Sequence, residues 1–173
     1  MDEDQRTGLV LLTPALEDVV DRWRRQYDPV RAYGMPAHVT VLYPWLPYDV
    51  ISSDDRAGLV ALCASTSTIE MTFTQFGTFA ETLWLDPQPS RPIIELINRI
   101  AARWPDYPPF AGEFADVVPH MTLADRCDPA SVTDVIADVE PQLPVVERVP
   151  ALTLMRLVDN RWIAEAEFPF RGG

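Results

Sequence analysis

Pro36-Ala37-His38-Val39-Thr40-Val41-Leu42-Tyr43-Pro44 and its echo, Val118-Pro119-His120-Met121-Thr122-Leu123-Ala124, hold the only two histidines of a 173-residue chain. Each histidine stands two places before a threonine in an apolar, β-favouring run. Strand geometry puts residues i and i+2 on one face. His38 and Thr40 should therefore look one way, with Val39, Val41 and Tyr43 turned to the other, and His120 and Thr122 repeat the arrangement. The chain has 12 Thr and 6 Ser, so 18 of its 173 positions would complete a His-x-Ser/Thr. Both histidines meeting one by accident has a probability of roughly one in a hundred, so the pair reads as chemistry rather than packing.

Working outward, Thr7 to Leu12 reads as a strand that ends at Thr13-Pro14, an N-cap followed by proline at the first helical position. Leu16, Val19, Val20, Trp23 and Tyr27 then keep helical spacing, with Glu17, Asp21, Arg24 and Arg25 on the exposed face. A loop, Asp28 to Pro36, leads into the first histidine strand. Ser52-Ser53-Asp54-Asp55 caps a second helix whose buried stripe is Leu59, Leu62, Cys63 and Thr66. Ile69 to Phe79 alternates as a strand and shifts around Gly77, and Thr82 to Asp86 is its hairpin partner. After Pro87-Gln88-Pro89 comes a third helix, with Ile93, Ile94, Ile97, Ile100, Ala101 and Trp104 inward.

Pro105 to Val118 is a loop feeding the second histidine strand. Asp128-Pro129 opens a helix with Val132, Val135, Ile136 and Val139 inward. Val145–Val149, Ala151–Val158 and Arg161–Phe168 are strands, with a turn at Asp159-Asn160. The element order of the first half returns from Leu83 onward, and the two histidines, 82 positions apart, fall at matching places. The expectation is a single α+β domain over residues 1–173: two duplicated, pseudo-twofold lobes of antiparallel sheet plus helices, with both histidine strands facing a central cleft.

Net charge is −12, and all 14 basic residues are arginine. So acidic a surface repels long polyanions, which excludes a duplex-wrapping nucleic-acid binder and leaves room for a nucleotide or an RNA end held by a few arginines. Cys63 and Cys127 form no Cys-x-x-Cys, and Cys63 falls on a buried stripe. The acidic start, Met1 to Asp4, lacks the basic region of a secretory leader, and no apolar run reaches spanning length. A cytoplasmic monomer with no membrane association is expected.

Two imidazoles with ordinary pKa values of about 6.5 can share a substrate near neutral pH, one accepting a proton and the other donating. Phosphoryl transfer places attacking and leaving oxygens on opposite sides of phosphorus, which one histidine on each lobe can serve. Threonine hydroxyls on the same face can donate to the non-bridging oxygens. Two histidines without a paired carboxylate make a poor divalent-metal site, so no metal or cofactor is expected.

These residues resemble the two-histidine phosphoesterase superfamily, and within it the 2′-5′ RNA ligase-like or RNA 2′,3′-cyclic phosphodiesterase branch. The likeness runs from Leu9 to Phe168 and rests mainly on His38-Val39-Thr40-Val41 and His120-Met121-Thr122-Leu123. It implies a bilobal fold and metal-independent opening of a 2′,3′-cyclic phosphate to a 2′-phosphomonoester. His38 and His120 would be the acid–base pair, with which is which left open, and Thr40 and Thr122 the phosphate ligands. The substrate would be a small nucleotide or an RNA terminus bearing a cyclic phosphate. Relatives often place an arginine three residues after the second threonine, where this chain has Asp125 and then Arg126.

Among secondary candidates, Tyr33 and Arg31 enter the first motif and could reach a base or a phosphate. Tyr43, Arg126 and Arg156 are possible substrate contacts, although strand alternation turns Tyr43 toward the core. An inward Arg156 would need an anionic partner. Trp84 and Trp162 are expected to close the core. A binding module without turnover, and RNA 2′-5′ end-joining, are the alternatives to a hydrolase.

Overall fold

The computed structural model describes residues 5–113 and 117–172, so the acidic Met1–Asp4 and part of the Pro105–Val118 loop lie outside the described residues. Among the described residues, eight strands pair antiparallel into two four-stranded sheets. One has the order β2-β1-β7-β8, from His38–Leu42, Thr7–Leu12, Ala151–Val158 and Arg161–Pro169. The other has the order β5-β4-β3-β6, from Met121–Ala124, Thr82–Gln88, Ile69–Phe79 and Val145–Val149.

The two orders correspond under a twofold exchange. In each sheet the histidine strand is an edge, beside the strand that opens its half of the chain. The third strand is borrowed: β3 belongs to the first half but pairs with β4, and β7 belongs to the second but pairs with β1. The helices follow the same exchange. Helix α1 (Pro14–Tyr27) packs on β5 and β6, and α4 (Arg91–Arg103) packs on β2. The lobes are thereby stitched by covalent chain as well as by apolar contact. The result is the duplicated α+β architecture expected from the sequence.

Each histidine strand buries the face turned from the motif: Val39 and Val41 are at most 1% exposed, and Met121 and Leu123 are fully buried. Helix α3 (Ser53–Ala64) starts with a reciprocal capping box between Ser52 and Asp55, and Asp128 caps α5 (Pro129–Val139). The turn between β7 and β8 has positive φ at both Asp159 (47°) and Asn160 (60°), the backbone hand that a two-residue hairpin needs.

Five local expectations are corrected. Thr13 precedes α1 but its hydroxyl caps nothing; the Ala15 N–H is instead taken by the Glu147 carboxylate from β6 at 2.8 Å, a favourable place for an anion. Arg24 is not on the exposed face but 1% exposed, paired with Asp28. The Asp28–Pro36 loop contains a short helix, α2 (Pro29–Ala32), capped by Asp28. Ile94 lies 36% exposed, and β4 runs on to Gln88.

Candidate active site

Strands β2 and β5, edges of different sheets, approach one another. Between them opens a cleft of about 770 Å³, lined by His38, Thr40, His120 and Thr122 together. All four are half-buried, while their odd-numbered strand neighbours are in the core. Period-2 alternation thus does on both strands what it must for two distant tetrapeptides to share one space.

Both imidazoles are oriented alike. His38 Nδ1 lies 2.8 Å from the carbonyl oxygen of Pro36, and His120 Nδ1 lies 2.7 Å from that of Val118. A carbonyl oxygen only accepts, so Nδ1 carries the hydrogen and Nε2 of the neutral ring is left with its lone pair. The repeated contact to residue i−2 fixes tautomer and ring orientation on both lobes.

Burial pulls His38 down to about 4, opposed by its bond to Pro36 and aided by Arg24 and His120. His120 is also lowered by burial, with its bond to Val118 opposing. Three aromatic rings surround it: Phe79 edge-on at 5.1 Å, Trp84 at 6.0 Å and Phe110 near-parallel at 6.4 Å. Such rings favour a cation beside them. Trp84 stacks on Phe79 at 4.8 Å, and the indole fits only because residue 77 is glycine, where a Cβ would come within 2.1 Å of it. Phe110 is turned toward the cleft from a loop with left-handed φ at Phe110, Ala111 and Gly112, anchored by its N–H on the Tyr43 carbonyl at 2.7 Å.

The remaining sequence candidates divide. Tyr33 and Tyr43 line the cleft, Tyr43 edge-on to Trp162 at 6.0 Å. The expectation that Tyr43 faces away is corrected: β2 ends at Leu42, so alternation no longer governs the next residue. Arg126 also borders the cleft, at φ +55° just past the end of β5, with its side chain 82% exposed. Arg156 does not. It lies on the face of β7 turned from the cleft, 3.5 Å over the Tyr48 ring and 3.9 Å from Glu165, which is the anion that an inward arginine required. Arg31 is held by Asp21 at 2.6 Å. Trp162 closes a small cluster with Met35 and Met155 and also forms part of the cleft wall.

Four charged cleft residues, Arg6, Asp28, Asp125 and Arg126, came without a role from the sequence or with their place in doubt. Asp28 accepts from Arg24 Nε and Nη2 at 2.9 and 2.8 Å; burial pushes its carboxyl up, against the pull of Arg24. Asp125 accepts from Thr82 Oγ1 at 2.6 Å and donates its N–H to the Tyr27 carbonyl at 2.9 Å. Among the described residues, no three His, Cys, Asp or Glu side chains converge to hold a metal ion, and no helix is long and apolar enough to cross a membrane.

The same architecture occurs in solved structures. Escherichia coli LigT complexed with 3′-AMP aligns over 96% of this chain and 98% of its own, with a TM-score of 0.59 at 19% identity. TT0787 of Thermus thermophilus aligns over 96% and 98%, with a TM-score of 0.63 at 18% identity. A structure described as a phosphoesterase gives 0.60 at 19% identity over 97% and 99%. At these identities the likeness is one of fold. No protein of curated function matches the sequence. The profile of the 2′-5′ RNA ligase superfamily, however, matches residues 12–161, from the end of β1 through both histidine motifs to the final hairpin, and the chain belongs to that family.

Proposed function

We propose that the chain is a metal-independent cyclic phosphodiesterase that opens 2′,3′-cyclic phosphates of nucleotides or RNA ends by paired histidine acid–base catalysis. One observation carries this reading: two His-x-Thr strands border one cleft, each imidazole tied at Nδ1 to a main-chain carbonyl and left free at Nε2. The cleft residues then have complementary tasks. One Nε2 takes the proton of a water, whose oxygen attacks phosphorus. The P–O3′ bond breaks opposite it, and the second imidazole donates its Nε2 proton to the leaving oxygen. Thr40 and Thr122 hydroxyls donate to the non-bridging oxygens as charge builds there.

The surroundings favour His38 as base and His120 as acid. Burial and the Arg24 guanidinium hold His38 neutral, whereas the rings of Phe79, Trp84 and Phe110 suit a charged His120. The phosphate anion raises both rings once it is bound. E. coli LigT has been crystallised with 3′-AMP and with phosphate, which supports a nucleotide monophosphate for this cleft.

The test is incubation with a panel of nucleoside 2′,3′-cyclic phosphates in excess chelator. The 2′-monophosphate should accumulate, and His38→Ala or His120→Ala should abolish it. Formation of the 3′-phosphate, or turnover only with added metal, would refute the proposal.

A further inference from the structure

We infer that the cleft takes a nucleoside cyclic phosphate bearing that single phosphate in preference to the same group at the end of an RNA chain, and that the Asp125 carboxylate sets the preference; this rests on the phosphoesterase reading above. A strand of RNA is held by cations that follow its backbone. Among the described residues that line the cleft, the charged side chains are two cations, Arg6 and Arg126, and two anions, Asp28 and Asp125. Asp28 is neutralised by the buried Arg24 and Asp125 offsets one of the two cations, so at most a single positive charge is left to follow a backbone, and the whole chain adds a net charge of −12.

Of the two cations, Arg126 extends into solvent, 82% exposed, with its Nε 3.9 Å from the Asp125 carboxylate that offsets it. Asp125 itself is fixed. Its carboxylate is held by Thr82 and its main chain by Tyr27, just beyond the strand that carries His120 and Thr122. Apart from Arg6, the described cleft lining therefore offers a phosphate one nucleotide away from the reacting one either this carboxylate or an apolar rim. Val30, Tyr33, Phe79 and Val118 form that rim, each more than a third exposed. Such a rim suits the faces of a base and ribose and offers a phosphodiester no partner.

The experiment compares a nucleoside 2′,3′-cyclic monophosphate with a tetranucleotide that ends in the same nucleoside cyclic phosphate. It reads kcat/KM and calorimetric Kd for wild type and Asp125→Asn at low and high salt. Wild type should prefer the mononucleotide by about tenfold at low salt, and both the salt and the substitution should narrow the gap to about threefold or less. Equal use of the two ligands, or a preference unchanged in Asp125→Asn, would overturn the inference. Loss of turnover on both ligands with the Kd preference intact would remove the enzymatic reading and leave the selectivity standing. Absence of binding by either ligand would remove both.

Discussion

Arg24 and Asp28, one turn apart at the end of α1, form an ion pair with both side chains at most 3% exposed, two guanidinium nitrogens reaching one carboxylate oxygen. The other oxygen of Asp28 caps α2 through the Val30 N–H at 3.2 Å, so the pair fixes the segment that carries Val30 and Tyr33 to the cleft rim. Arg24 Nη1 is buried without a hydrogen-bond partner among the described residues, which makes the site intolerant of a second loss.

Removing one member of a buried pair strands the other charge. Asp28→Ala should therefore lower the free energy of unfolding by about 3–5 kcal/mol. Replacing both partners with Leu and Met should cost much less. Denaturant titrations of the two variants decide the matter: a loss below about 1 kcal/mol for Asp28→Ala would mean that water reaches the guanidinium.

The two histidines give the protein a readable pH dependence. His38 titrates at about 4 in the folded chain against 6.5 for an ordinary imidazole, and His120 is lowered as well. Between those values the unfolded chain binds protons that the folded one refuses, so the contribution is fully present above pH 6.5 and is lost as pH falls through about 4. His38→Gln should shrink this acid-side loss of stability.

The free enzyme's kcat/KM should form a bell whose limbs both lie below 6.5, falling as the pH approaches neutrality and the acid loses its proton. With only two histidines present, NMR titration assigns each limb directly. An optimum above pH 7 would contradict the burial of both rings.

What the sequence made legible follows from period and spacing. His38, Thr40, His120 and Thr122 share the cleft because strand alternation is a local rule, and the twofold exchange of strands follows from a repeated element order. Alternation misplaced Tyr43 because β2 stops one residue earlier; for Arg156 it correctly demanded an anion, but spacing alone could not show that the anion is Glu165 of the neighbouring strand and not a substrate phosphate. Arg24 looked exposed on its helical face, although an acidic residue four places on marked a possible pair. Phe79 and Phe110 had no local signal. They reach His120 through a hairpin end and a left-handed turn, contacts that no window of sequence contains.

Gly77 is required by space, not by its backbone angle. A methyl group there would lie 2.1–2.4 Å from three atoms of the Trp84 indole, which is packed against Phe79 and cannot simply swing aside. Gly77→Ala should cost about 1–3 kcal/mol by overpacking. It should also lower kcat more than it raises KM, because the displaced rings are those beside His120. Unchanged near-ultraviolet dichroism and rate would show that the indole has a second position.

Substituting the threonines tests binding apart from catalysis. Thr40 and Thr122 are related by the same exchange that relates the histidines, and each is half-buried with its opposite strand face in the core. Valine keeps the shape and the strand preference, so Thr40→Val and Thr122→Val should leave the unfolding midpoint almost unmoved. Donors that act only as charge develops on phosphate oxygen are worth about 10²–10³ in kcat each. If the hydroxyls held the ground-state phosphate equally well, KM would rise instead and kcat would be spared. A fall in kcat of similar size for the two variants, with KM little altered, is the expected result. A loss confined to one threonine would mean that the lobes' symmetry of form is not one of chemistry, with the other hydroxyl serving the strand alone.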